Sequence, residues 1–160
     1  MFLRIILLIG IVFFIYSCSS KDDAYKTAIK INPYTSYKEG LDAFERNDFF
    51  YASKKFSEAE LNFEDIELSA KSAIMSSFSL YGINFYLEAS ENLERFIKTY
   101  PSDKNIIYAH YLQAIIFFEQ ISDEKKDLKP LLKARNKIDF FTEKYPDSDY
   151  SIDLKFKKDL

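Results

Sequence analysis

One cysteine in 160 residues rules out an internal disulfide, and one histidine rules out a histidine-rich metal site. Three glycines and four prolines are too few for the closely spaced turns of a β protein. No stretch carries the glycine spacing of a phosphate-binding loop. Charge of neither sign dominates: 22 Lys and Arg stand against 25 Asp and Glu, and a net charge of −3 leaves no basic surplus for nucleic acid. Glu58, Glu60, Glu64 and Glu67 are the nearest approach to an acid pair. With no recognisable cleft around them, they read as the solvated face of an amphipathic helix. His110, among Tyr108, Tyr111 and Leu112, reads as a packed or half-exposed helix residue, not a general base. No catalytic constellation remains, so no enzyme activity, metal or cofactor is expected.

What the chain has in quantity is apolar and aromatic side chains, with 12 Tyr and 16 Phe and 48% of residues hydrophobic. That is no disordered composition, and the length suffices for one domain with a real core. Self-similarity organises it. When Ala52, Ala89 and Ala134 are aligned, Phe56, Leu93 and Ile138 follow four residues later, and Ala59, Phe96 and Phe141 follow seven later. Phe63, Tyr100 and Tyr145 stand eleven after, and in the last two copies Pro101 and Pro146 come next. A small residue with large apolar ones at these offsets occupies one face of a helix; the alanine admits a neighbouring helix and the proline stops the turn.

Gly40, Ala52, Phe56 and Ala59 resemble the tetratricopeptide-repeat pattern, in which Gly40 allows a second close approach. Each such repeat is two antiparallel helices that bury their apolar faces only by stacking on neighbours. The alternative is an ordinary helical bundle with accidental similarity. The fold expected is all-α: a tetratricopeptide-repeat solenoid of about three helix pairs plus one unpaired C-terminal helix, after an N-terminal signal peptide. Helices are predicted near 34–46 and 48–63, 67–82 and 84–100, 104–121 and 130–145. Pro33 and Pro130 suit first-turn positions, and Asn47-Asp48 and Gly82-Ile83-Asn84 suit turns. The third pair is longer by the charged segment Ser122 to Lys129, an exposed loop or helix extension. A further helix from Ser148 carries Ile152, Phe156 and Leu160 at spacing four, an apolar stripe without a pairing partner. It is read as the start of an interrupted repeat in a truncated chain, or else as a helix that docks on another protein.

The N-terminus has its own logic. After Arg4, the apolar run Ile5 through Ile15 has the length of a signal-peptide h-region and is too short to cross a bilayer as a helix. Ile15-Tyr16-Ser17-Cys18 resembles the lipobox of bacterial lipoproteins, with Tyr16 where a smaller residue is usual. The resemblance implies cleavage before Cys18 and acylation of that residue, with Ser19 and Ser20 in place of the aspartate associated with inner-membrane retention. More than one acyl chain anchors a protein stably. An uncleaved anchor, or a signal cut elsewhere that leaves a free thiol, are the alternatives. The expected division is a signal peptide over 1–17, a lipidated N-terminus and polar tether over 18–32, and the repeat domain over 33–160.

A lipobox followed by such repeats is similar to the BamD family of β-barrel assembly lipoproteins. The likeness is carried by Tyr37-Lys38-Glu39-Gly40-Leu41 with Asn47-Asp48-Phe49 and Ala52, and by Phe96-Ile97-Lys98-Thr99-Tyr100-Pro101 with Asn105, Tyr108 and Tyr111-Leu112. Phe118-Glu119-Gln120-Ile121, Asp127, Ala134 and Tyr145-Pro146-Asp147-Ser148-Asp149-Tyr150 extend it. Leu61-Asn62-Phe63-Glu64-Asp65 departs from it, lacking the Tyr-Pro that usually closes the first repeat. The resemblance implies a lipid-anchored, periplasmic adaptor at the outer membrane, with the central barrel protein of the assembly machine and unfolded outer-membrane proteins as partners. It also implies about five repeats, with machine contacts made largely by the C-terminal ones absent here. The family's inward positions fall on Tyr34, Tyr37, Leu41 and Phe44, on Ile74, Phe78 and Tyr81, and on Tyr108, Leu112 and Ile115. Together they form a candidate groove for peptides, as against simple packing between repeats. Another helical-repeat lipoprotein that scaffolds a cell-wall or export complex is the alternative, and a hydrolase with its catalytic residues beyond Leu160 a third.

Overall fold

The computed structural model describes residues 31–121 and 128–159. These form α1 (Pro33–Glu45), α2 (Phe49–Asn62), α3 (Ile66–Gly82), α4 (Tyr86–Thr99), α5 (Ile106–Glu119), α6 (Leu128–Lys144) and α7 (Asp149–Asp159), with no strand among the described residues. Each helix packs on the one before it, giving three pairs and a seventh helix, as the spacing predicts. The signal peptide, Cys18 and nearly all of the tether lie outside the described residues, as do residues 122–127 and Leu160.

Local chemistry sets the ends. Asn32 caps α1 by accepting from the backbone N–H of Tyr34 at 3.0 Å, while Pro33 occupies the first turn, where its missing N–H costs nothing. Asp48 accepts from Tyr51 N–H at the start of α2, and Asp65 from Glu67 and Leu68 at the start of α3. The turns inside the first two pairs are made by Asn47 at φ 60° and Asn84 at φ 61°. Asparagine tolerates that left-handed region better than most side chains. Gly82 keeps negative φ and ends α3; a Cβ there would meet the Phe49 ring at 3.4 Å, an ordinary van der Waals contact, so neither backbone nor packing requires glycine at this position.

The aligned alanines behave as predicted: Ala52, Ala89 and Ala134 are at most 1% exposed, and Phe56, Phe96 and Phe141 are fully buried beside them. Gly40 faces Phe56 so closely that a Cβ would stand 2.8 Å from the ring. The core falls into three clusters. Ala43, Ala52 and Phe56 fill the first pair. Ala70, Ala73, Ile74, Ala89, Leu93 and Phe96 join Ala109, Leu112 and Ile116 of α5. Ala114 and Ile115 join Ile138, Phe141 and Leu154. Thus α5 contributes to both of the last two clusters and ties the second and third repeats together with apolar side chains on two faces.

The seventh helix buries Ser151 and Leu154, not the stripe singled out from spacing: Ile152 and Phe156 are 73% and 65% exposed. Period four marks a shared helix face but not which face meets the core. Here the neighbours on α5 and α6 select Leu154.

Candidate peptide-binding face

Residues at i, i+3, i+4 and i+7 share one side of a helix. On α1 this side carries Tyr34, Tyr37, Leu41 and Phe44; on α3 it carries Lys71, Ile74, Phe78 and Tyr81. Stacking the repeats brings the two rows together. Phe44 lies 5.8 Å from Phe78, Phe78 lies 6.2 Å from Tyr81 and 6.4 Å from Tyr108, and Tyr108 lies 5.9 Å from Tyr150 on α7. A line of rings therefore runs through the leading helices α1, α3, α5 and α7. Upstream, Tyr37 packs on Phe56 at 5.4 Å and Phe63 at 6.3 Å, and Tyr34 meets Phe63 edge-on at 5.1 Å. The Lys71 ammonium stands 5.5 Å from the Tyr37 ring.

Of the ten groove candidates, Tyr37, Leu41, Phe44, Phe78, Tyr81 and Tyr108 are half-buried and Tyr34 is exposed. Ile74, Leu112 and Ile115 are not on an open face: at 6%, 2% and 6% exposure they are core, because the helices stacked on α3 and α5 close over them. Spacing alone missed Phe63, Tyr111 and Tyr150. Tyr111 stacks on Tyr150 at 4.4 Å and donates its hydroxyl to the Asp153 carboxylate at 3.0 Å. The cue for Tyr150 is that α7 occupies the leading-helix place of a next pair. Phe63 stands where the aligned repeats have Tyr100 and Tyr145, and it caps α2 in extended conformation.

The phenols on this face are hard to ionise. Burial pushes Tyr108 up to about 12, with Tyr150 and Tyr81 nearby adding to the effect. Burial likewise raises Tyr81 and Tyr111, helped by Glu119 at Tyr81 and by the Asp153 bond at Tyr111. At neutral pH these three groups thus present uncharged rings and hydroxyls, chemistry suited to extended chain with apolar side groups.

The acidic residues taken together as a solvated face divide in two. Glu58 pairs with Lys55, and Glu67 with Lys104 at 2.5 Å beside a cavity of about 440 Å³ lined by Ile66, Ala70 and Tyr100. Glu60 is the correction: it is 6% exposed, held by both terminal nitrogens of Arg95 and by the Tyr100 hydroxyl at 3.1 Å. Its partners lie 35 and 40 residues away, beyond the reach of a helix-face argument. His110 is half-buried against Phe140 at 5.1 Å and Tyr145 at 5.7 Å, a packed residue. Among the described residues no group of three His, Cys, Asp or Glu could hold a metal ion, and no helix is long and apolar enough to cross a membrane.

Stacked helix pairs with an aromatic line along their leading helices define a tetratricopeptide-like helical-repeat protein. The family model described as "YfiO: Outer membrane lipoprotein" matches residues 16–159, and the chain belongs to that family. Among its relatives are two proteins named outer membrane protein assembly factor BamD. The one from Caulobacter vibrioides is 33% identical over 124 residues, covering 78% of this chain and 41% of the relative. The one from Rickettsia prowazekii is 28% identical over 158 residues, covering 99% of this chain and 61% of the relative. The chain therefore spans roughly two fifths to three fifths of the length of these relatives.

Proposed function

We propose that this protein is a non-enzymatic adaptor in outer-membrane protein assembly, held to the outer membrane through lipid on Cys18 and working on the periplasmic side. It would bind the unfolded outer-membrane proteins and the central barrel protein of the assembly machine. The observation that carries the reading is the line of rings through Phe44, Phe78, Tyr108 and Tyr150, in a family whose relatives are named assembly factors. Rings with protonated hydroxyls bind chain by contact and hydrogen bonding, with no covalent step. Lipidation requires the Cys18 thiol, and two or more acyl chains give stable membrane attachment.

Photo-crosslinkers at positions 37 and 78 test the face. Capture of the C-terminal segment of an unfolded barrel protein supports it, as does loss of that capture in a folded Tyr37→Ala, Phe78→Ala double variant. No capture from either position overturns it. Separately, Cys18→Ser should release the protein from membranes, and retention of the variant would overturn the anchor.

A further inference from the structure

Glu60 is the one buried charged residue among the described residues, and it sits on a seam unlike the rest of the core. A carboxylate taken from water without partners costs several kcal/mol, so its three donors are what make its burial tolerable. All three belong to the second repeat: Arg95 on α4, through both terminal nitrogens, and Tyr100 just beyond that helix. Otherwise α2 meets the start of α4 where the Phe50 and Phe85 rings stand 6.3 Å apart, and α1 meets α3 through Phe44 on Phe78 and Lys71 on Tyr37. Repeat one meets repeat two chiefly through α2 on α3, and α3 is rich in buried serines: Ser69, Ser72, Ser76, Ser77 and Ser79. Ser76 crosses the seam, bonding the Ser57 hydroxyl at 2.8 Å and the Ser53 carbonyl at 3.0 Å. Toward the first apolar cluster α3 turns half-buried Met75, whereas α5 gives fully or nearly buried apolar side chains to both later clusters. Interdigitated apolar side chains resist sliding because every shift opens voids; small hydroxyls can exchange partners as packed helices shear.

From this geometry we infer that repeat one, α1 with α2, pivots as a unit on the serine seam. The Glu60–Arg95–Tyr100 cluster is the latch that holds it where Phe44 meets Phe78. Glu60 is thus a positioning residue: it touches no ligand but sets the spacing of the aromatic line across the first junction. The latch stands on the seam itself, and only its consequence for peptide capture rests on the proposed function.

The test uses the full chain with Cys18→Ser and spin labels at positions 54 and 91, exposed sites on α2 and α4. With the latch intact a single narrow distance is expected. Glu60→Gln should broaden it or add a longer one, and should speed amide exchange in α2 and α3 about tenfold while leaving α5 and α6 unchanged. Because Glu60→Gln can also fail to fold, the paired Glu60→Met, Arg95→Met variant removes the latch without leaving a charge buried, and should broaden the distance in the same way. An unchanged narrow distance in either folded variant overturns the latch, and so does faster exchange spread evenly over all helices. A broadened distance with undiminished crosslinking at position 78 keeps the latch and overturns only its consequence for peptide capture, whereas a broadened distance with no crosslinking in the parent chain keeps the latch and overturns the peptide face.

Discussion

Phe44 on α1 and Phe78 on α3 meet at a tilt of 35° with ring centroids 5.8 Å apart, and this contact carries the aromatic line from the first repeat to the second. Phe78 is the more connected partner, because it also touches Tyr81 and Tyr108. Removing it therefore disturbs three helices' worth of ring packing at once.

Phe78→Ala should destabilise the domain by about 2 kcal/mol, less than a fully buried phenylalanine because the ring is only half covered. Tyr34→Ala, with the ring 65% exposed and one edge contact to Phe63, should cost less than about 1 kcal/mol. Urea unfolding midpoints of the two variants check both; equal losses would contradict this assignment of burial.

Gly40→Ala pits two effects against each other. Alanine gains about 1 kcal/mol of helix propensity over glycine. Its Cβ, however, would stand 2.8 Å from the Phe56 ring, which is completely buried and has nowhere to retreat. Overpacking of this kind costs about 1–3 kcal/mol, so the net outcome should be destabilising. A raised thermal midpoint in the variant would show that the ring can yield.

His110 gives the domain a specific acid sensitivity. Burial, followed by repulsion from Lys144 and Lys137, lowers its pKa from the ordinary 6.5 to about 4. On acidification the unfolded chain takes up the proton first, so this contribution to stability is whole above pH 6.5 and is lost progressively down to about pH 4. The half-exposed ring keeps the loss well below what the full shift would imply. Urea midpoints of the wild type should fall more steeply across that window than those of His110→Gln, while the two run parallel from pH 7 to 8. Parallel curves throughout would contradict the lowered pKa.

Tyr111→Phe keeps the stack on Tyr150 and deletes the hydrogen bond to Asp153. Asp153 retains Lys157 at 3.5 Å and is partly open to water, so a loss of about 1 kcal/mol is expected. It should be local: faster amide exchange in α7, with α1 to α4 unaffected. Uniform exchange changes would mean that the Tyr111 hydroxyl does not act locally on α7.

Much of this architecture was legible in local sequence. The alanine register named the buried seam positions; Asn47-Asp48 and Pro33 announced helix ends; Gly40 foretold a close approach that the Phe56 ring fills. The ring row on α1 was readable because four residues at helical spacing share a face whatever surrounds them. Exposure was less readable. Ile74, Leu112 and Ile115 occupy the same kind of helical position as Phe78 and Tyr108, yet they are closed over by other helices. On α7, spacing identified Ile152 and Phe156 as a stripe, while the partner helices took Leu154.

By itself, then, the amino-acid order determined the helices, their turns, their pairing and the family, because capping, left-handed turns and helical periodicity depend on residues within a few positions of one another. Tertiary structure alone decided that Glu60 is buried, that the rings continue through Tyr108 to Tyr150, and that serine lines the first junction. Those outcomes depend on partners from 19 to 42 residues away, and the energy of a side chain in a stacked repeat is set by what the neighbouring repeat places against it.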